Sequence, residues 1–242
     1  MDPLGHSAFQ KRNHRIDGLR HLAAVGVIFT HSYKLSIDGG NDPLHDLFGL
    51  NASYLSLGLF FSISGFLVTG SLLRNNNIKS FTLSRIFRIF PAIIVANILT
   101  IVVLSIFSTY GFGEYFLSTQ TLHYIILNST LITSGDGLPG VFTKNSFPNA
   151  VNGSLWTLPV EVKMYLLLAL LGFLAALKKS DEDDPHTLTK LVITSGIIGY
   201  SSVVVWEFLE LPTHPRWASK GAIDLAGFFF VGMLMSKIRI IS

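Results

Sequence analysis

The chain has no cysteine among its 242 residues. That excludes a disulfide, a thiol nucleophile and a thiolate metal site, and it leaves the compartment open. Charge is scarce too. Asp, Glu, Lys and Arg make up 14% of the residues, against about 25% in an ordinary soluble chain. The net charge of +3 comes with no continuous basic face, because the cations cluster in short segments between apolar runs. Nucleic acid is therefore not an expected partner. No internal repeat shows, no separate soluble domain fits, and no metal site is expected.

What is abundant is apolar surface, with 49% hydrophobic residues and a mean hydropathy of +0.50. The expected fold is all-α, a polytopic transmembrane helix bundle. A polar segment, residues 1–15, ends in Lys11-Arg12-Asn13-His14-Arg15. The apolar stretch 16–36 follows. Asp17, Arg20 and His21 within it, and the lack of a small-x-small cleavage site, mark it as a retained first span rather than a signal peptide. Further spans are expected at 47–73, 89–112, 155–177, 191–209 and 221–236, each judged against the roughly 20 apolar residues that cross a bilayer core. Segments 75–77 and 135–153 have loop composition.

Lysine and arginine set the orientation. With the N-terminus in the cytoplasm and six crossings, the inner segments hold Lys11, Arg12, Arg15, Arg74, Lys79, Arg85, Arg88, Lys178, Lys179, Lys190, Lys237 and Arg239. The outer loops hold only Lys34, Lys144, Arg216 and Lys220. Twelve against four is a clear bias. The acidic run 181–184 falls inside, which the rule tolerates because it counts cations. Segment 115–133 is apolar enough to span, but a crossing there would invert every later loop. It is expected to be a re-entrant or interfacial helix on the outer face.

The ionisable residues inside the apolar runs are the candidates for chemistry, since burying them in a span is costly. Arg20 and His31 are eleven residues apart. At 100° per residue this returns to within about 20° of the starting direction, so they share a helix face roughly 16 Å apart along the axis. Arg20 alone reads as an interface anchor, and His31 alone as a packed histidine. Together they place a cation toward one interface and an imidazole, able to take a proton near pH 7, toward the other. Arg85 and Arg88, at i,i+3 just before the third span, present two forks that match phosphate oxygens; the plain alternative is positive-inside charge beside anionic lipid. Gly58, Ser62, Gly65 and Thr69 form a small-residue stripe suited to close helix packing. Ser62 and Ser64 have no evident base. Glu161, just after Pro159, falls near the positive end of a helix. His31, Glu161 and Asp224 are expected at similar depth on different spans, which suggests one shared polar cavity.

Four blocks of sequence resemble the acyltransferase-3 family of integral-membrane sugar O-acyltransferases. The first is Arg15-Ile16-Asp17-Gly18-Leu19-Arg20 leading to His31, like the family's basic residue followed by histidine with ten residues between. The second is Gly58-Leu59-Phe60-Phe61-Ser62-Ile63-Ser64-Gly65-Phe66-Leu67. Arg85-Ile86-Phe87-Arg88-Ile89-Phe90-Pro91 is similar to the paired-arginine motif. Asn152-Gly153-Ser154-Leu155-Trp156-Thr157-Leu158-Pro159-Val160-Glu161 is the fourth. The blocks lie in family order between residues 15 and 165, and the rest resembles the family only as membrane spans.

The resemblance implies a cytoplasmic acyl-CoA donor, usually acetyl-CoA, used as a substrate with no permanently bound cofactor. It implies an acceptor hydroxyl on a surface or secreted glycan or a lipid-linked sugar, and residence in a bacterial inner membrane. His31 inherits the role of catalytic base or acyl handler, and Glu161 a second polar role in the catalytic site. Arg85 and Arg88 inherit donor binding, with Arg20 in support. Transfer is either direct or through a carrier. Residues 16–242 are expected to form the membrane acyltransferase domain, incomplete at its C-terminus because family domains carry more spans. A transporter with a polar path, or an inactive truncated membrane subunit, is the alternative class. Loops 38–50 and 135–153 are expected to face the acceptor.

Overall fold

The computed structural model describes residues 14–36, 40–75, 77–131, 137–145, 148–178, 186–209 and 219–236. Among these residues the ordered elements are helices and there is no strand. Lys11, Arg12, Lys179, Arg216, Lys237, Arg239 and the acidic run 181–184 lie outside the described residues.

The helices are α1 (His14–Ser36), α2 (Pro43–Phe48), α3 (Ala52–Asn75), α4 (Ile78–Leu104), α5 (Phe112–Leu117), α6 (Thr119–Thr130), α7 (Thr157–Lys178), α8 (Thr187–Phe208) and α9 (Lys220–Met235). Among the described residues, four helical runs are long and apolar enough to cross a membrane: Ala52–Arg74, Ile78–Phe107, Gly153–Lys178 and Thr187–Phe208. At 23 residues, α1 reaches about 34 Å, but Arg15, Asp17 and Arg20 interrupt its apolar composition. The bundle is therefore an all-α membrane fold.

Two boundaries differ from the sequence expectation, each because of a cap. The apolar run 47–73 is broken: α2 ends at Gly49, which adopts a left-handed φ of 71°, and α3 begins afresh at Ala52. The expected third span starts eleven residues early. Asn77 caps α4 by accepting from Ser80 N at 3.0 Å, and nothing between 78 and 88 breaks a helix. Arg85 and Arg88 therefore sit on the long helix itself. Pro91, inside α4, leaves the Phe87 carbonyl without its usual amide partner, a loss that membrane helices tolerate when neighbours compensate.

The segment 115–133 breaks at Ser118, whose hydroxyl accepts from Gln120 N at 3.1 Å. At 12 residues, α6 reaches about 18 Å, short of a core of about 30 Å. It lies against α4, where Asn97 Nδ2 donates to Ser129 Oγ at 3.1 Å and Tyr115 hydroxyl to the Ile101 carbonyl at 3.0 Å. Ile101, Tyr115, Tyr124, Leu138 and Val141 close a small second core beneath α5, α6 and residues 137–145.

The main core forms where α3, α7, α8 and α9 meet, around Phe61, Leu168, Val192, Phe229 and Met233. The closest approach is α3 on α9. A Cβ at Gly65 would lie 2.2 Å from the Phe229 carbonyl oxygen, and one at Gly232 1.9 Å from that of Ser62. The small-residue stripe on α3 is thus a packing seam: without side chains between them the two backbones touch, which is how helices associate where hydrophobic burial gives no drive. By contrast, Ile94, Val95, Ile98, Leu99, Val102 and Val103 on α4 stay uncovered, as suits a helix facing lipid.

Candidate active site

Four helices, α1, α3, α4 and α7, each send one or more polar side chains to a common point. Glu161 on α7 lies at its centre, 6% exposed. Its Oε1 accepts from Ser64 Oγ on α3 at 3.0 Å and from the Tyr165 hydroxyl. The Ser64 and Tyr165 oxygens are themselves 3.4 Å apart. From α4, the Arg85 guanidinium lies over the Tyr165 ring at 5.7 Å and over Phe81 at 5.5 Å. From α1, Arg20 lies over the Phe60 ring at 4.8 Å, a cation–π arrangement. Arg20 and Arg85 both feel the Glu161 carboxylate, and Arg88 acts on Arg20, Arg85 and Tyr165.

The charge balance here favours cations, with the guanidiniums of Arg20, Arg85 and Arg88 set against the Glu161 carboxylate and, along α1, that of Asp17. Arg85 Nε is buried and has no hydrogen-bond partner among the described residues. A buried donor left unpaired is costly, so the cluster has capacity for an anion. Two arginine forks on one helix, backed by a third from α1, suit phosphate oxygens.

The arrangement corrects two sequence expectations and adds to a third. Glu161 does lie near a helix start, four residues after Thr157 at the head of α7, but the helix end is not its only support. Its partners are Ser64, Tyr165 and the arginines. Ser64, which had no evident base in the sequence, is bonded to that carboxylate. Finally, His31, Glu161 and Asp224 do not share partners. Asp224 on α9 is grouped with Glu207 and Lys220, and Lys220 Nζ lies 3.4 Å from Glu207 Oε2. Half-buried on α1, His31 has Lys34 as its charged neighbour and no hydrogen-bond partner among the described residues.

A family model described as an acyltransferase domain matches residues 13–241. The chain belongs to the acyltransferase-3 family. It is similar to an O-acetyl transferase of Shigella phage Sf6, at 32% identity over 154 residues, covering 62% of this chain and 43% of the phage protein. It is also similar to nodulation protein 10 of Rhizobium leguminosarum bv. viciae, at 35% identity over 181 residues, covering 71% of this chain and 47% of that protein. The chain thus spans less than half the length of these curated relatives. No solved structure matches.

Within this acyltransferase-3 chain, the four blocks that carried the resemblance fall on the four helices of the cluster, and each supplies one of its polar groups: Arg20, Ser64, the Arg85 and Arg88 pair, and Glu161. Tyr165 lies just beyond the last block. Its signal was present, because i,i+4 from Glu161 puts both on one face. Asp42 was also missed. It is followed by Pro43, a helix-start pattern, and its side chain does cap α2.

Proposed function

We propose that this chain is an integral-membrane O-acyltransferase. It moves an acyl group, acetyl by preference, from acyl-CoA to a hydroxyl of a glycan or lipid-linked sugar. What supports this most is the convergence of one polar group from each family-like block on a single cation-rich point. In this reading Arg85, Arg88 and Arg20 bind the phosphates of the donor, and the Arg85 Nε gains the partner it lacks. Tyr165 and Ser64 hold the Glu161 carboxylate, which offsets part of the positive charge.

His31 is the base of the transfer. The neutral imidazole takes the proton of the acceptor hydroxyl, and the oxygen attacks the thioester carbonyl carbon. The carbon–sulfur bond breaks, and CoA leaves as the thiolate. Arg20 and His31 stand roughly 16 Å apart along α1, which suits a long donor anchored by its phosphates with its thioester reaching toward the acceptor.

The N-terminus is cytoplasmic in this proposal, residues 16–242 form the membrane acyltransferase domain, and the membrane is a bacterial inner membrane. A reporter after Ser180 is expected in the cytoplasm and one near Gly140 outside. A Ser180 fusion found outside would make segment 115–133 a crossing and invert the later loops.

The activity test is release of CoA from acetyl-CoA by the purified protein in detergent or vesicles, with and without a glycan acceptor. Acceptor-dependent release is expected. A folded protein that neither binds acetyl-CoA nor releases CoA would sink the proposal.

A further inference from the structure

We propose that Asp42, acting through Thr30, is a positioning residue that fixes the place of His31; this rests on the reading of His31 as the base. Asp42 and Thr30 are both 0% exposed. Thr30 Oγ1 donates to Asp42 Oδ2 at 2.6 Å, and Ala52 N donates to the same oxygen at 3.0 Å. The other carboxylate oxygen accepts from Leu44 N at 3.1 Å and His45 N at 3.3 Å. In return, Ser53 N donates to Thr30 Oγ1 at 2.8 Å. Asp42 therefore caps α2 and takes the first backbone N–H of α3, while Thr30, from a different helix, takes the second. Those donors have no partner within α3, so the outer turn of α1 is tied to the start of α3 by groups that would otherwise be unsatisfied.

The tie sets a register. Running along the antiparallel pair, Arg20 lies over Phe60. Gly26 then meets Ser56, where a Cβ would come within 2.1 Å of Ser56 Oγ. Thr30 meets Ser53 last. The substantial packing of α1 is against α3, and Leu22, Val25, Ile28 and Phe29 on α1 are exposed. Among the described residues, no other element packs substantially on that face to resist sliding or rotation. The Thr30–Asp42 bond resists both, at the end where His31 lies. His31 follows Thr30 directly, so the rotation that seats the Thr30 hydroxyl also sets the direction of the imidazole, about 100° round the helix. Because the imidazole has no hydrogen bond of its own among the described residues, its place comes from the backbone. A reacting group displaced by about 1 Å can lose roughly 100-fold in rate.

The test uses Thr30→Val, which keeps the shape and removes the hydroxyl, and Thr30→Ser, which restores it. The absence of native cysteine allows spin labels at Leu35→Cys and Leu55→Cys, both exposed positions, to report the α1–α3 distance in the full chain. Thr30→Val is expected to broaden that distance distribution and lower kcat roughly ten- to a hundred-fold, with KM for acetyl-CoA unchanged. Thr30→Ser is expected to recover both. A Thr30→Val distribution as narrow as the parent's overturns the proposal, as does a broadened one with parental kcat, or a Thr30→Ser variant as impaired as Thr30→Val. Should His31→Ala keep parental turnover, the base reading fails separately, and the distance measurement still decides whether the hydroxyl holds this end of α1.

Discussion

Two polar junctions on the same helix are built on opposite principles. Near Arg20, three guanidiniums stand against the carboxylates of Glu161 and Asp17, and Arg85 Nε has no partner among the described residues. Near Thr30, one carboxylate receives four hydrogen bonds, from Thr30, Leu44, His45 and Ala52. The first junction has excess charge and an unmet donor, so a ligand can lower its free energy. At the second, both Asp42 oxygens and the Thr30 hydroxyl are met, and a ligand would have to break a bond to reach them; the neighbouring Asn51 Oδ1 is buried without a partner among the described residues. On the proposed reading, the unpaired guanidinium nitrogen marks where an anion docks, whereas the fully bonded Asp42 carboxylate marks a contact that must not move. His31 sits one residue from the saturated junction and, on the proposed mechanism, works with the unsaturated one.

The sharpest way to break this comparison is to remove the imidazole. General-base catalysis contributes typically 10²–10⁴-fold, so His31→Ala is expected to lose nearly all acceptor-dependent CoA release while still binding acetyl-CoA. His21→Ala is the control. His21 is exposed, and its Nδ1 bonds to the Asp17 carbonyl at 2.7 Å, so His21→Ala should retain activity. Equal behaviour of the two variants would mean that α1 has no catalytic face.

Removing a guanidinium probes the unsaturated side. Charge-assisted hydrogen bonds contribute about 1.5–3 kcal/mol each, so Arg85→Ala or Arg88→Ala should weaken acetyl-CoA binding roughly ten-fold or more, measured by calorimetry on purified protein. Arg→Lys should recover part of it, because lysine lacks the fork. The half-buried Arg85 should matter more than the exposed Arg88. Unchanged affinity in both alanine variants would reduce the pair to topology signals.

The smallest expected effect sharpens the saturated side through pH. Burial alone raises the Asp42 carboxyl, but the hydrogen bonds from Thr30, Ala52, His45 and Leu44 together outweigh it and hold the group below the usual carboxylate range. A depressed carboxylate adds stability that is complete above its unfolded value of about 3.9 and is lost as pH falls through the lower folded value. The α1–α3 distance, read with spin labels, should therefore stay narrow at mildly acid pH and broaden only below that range. In Asp42→Asn the acid-dependent broadening should vanish. Broadening of the parent near neutral pH would show that a different group holds the junction.

Much of the fold was legible because spans are written in composition. Backbone groups in lipid must be satisfied within the helix, so long uncharged runs declare themselves, and the positions of α3, α4, α7 and α8 follow. The starts of α3 and α4 were less legible, since Gly49 and Asn77 act through backbone conformation and a single capping bond that hydropathy does not register. The site was legible in part: Arg20, Arg85, Arg88 and Glu161 stood out as charges among apolar neighbours.

By itself the sequence determined the membrane class of this chain, the helical period that aligns Arg20 with His31, and the four blocks that signal its family. Each of these is a local property, carried by residues within a few turns of one another. Only the tertiary structure decided that Glu161 meets Ser64 and Tyr165 rather than His31, that Asp224 belongs with Glu207, and that Asp42 ties α1 to α3. Ser64 and Glu161 are 97 positions apart. They meet because the close seam between α3 and α9 and the packing of α7 on both leave one polar point between them, and no periodicity along the chain encodes that meeting.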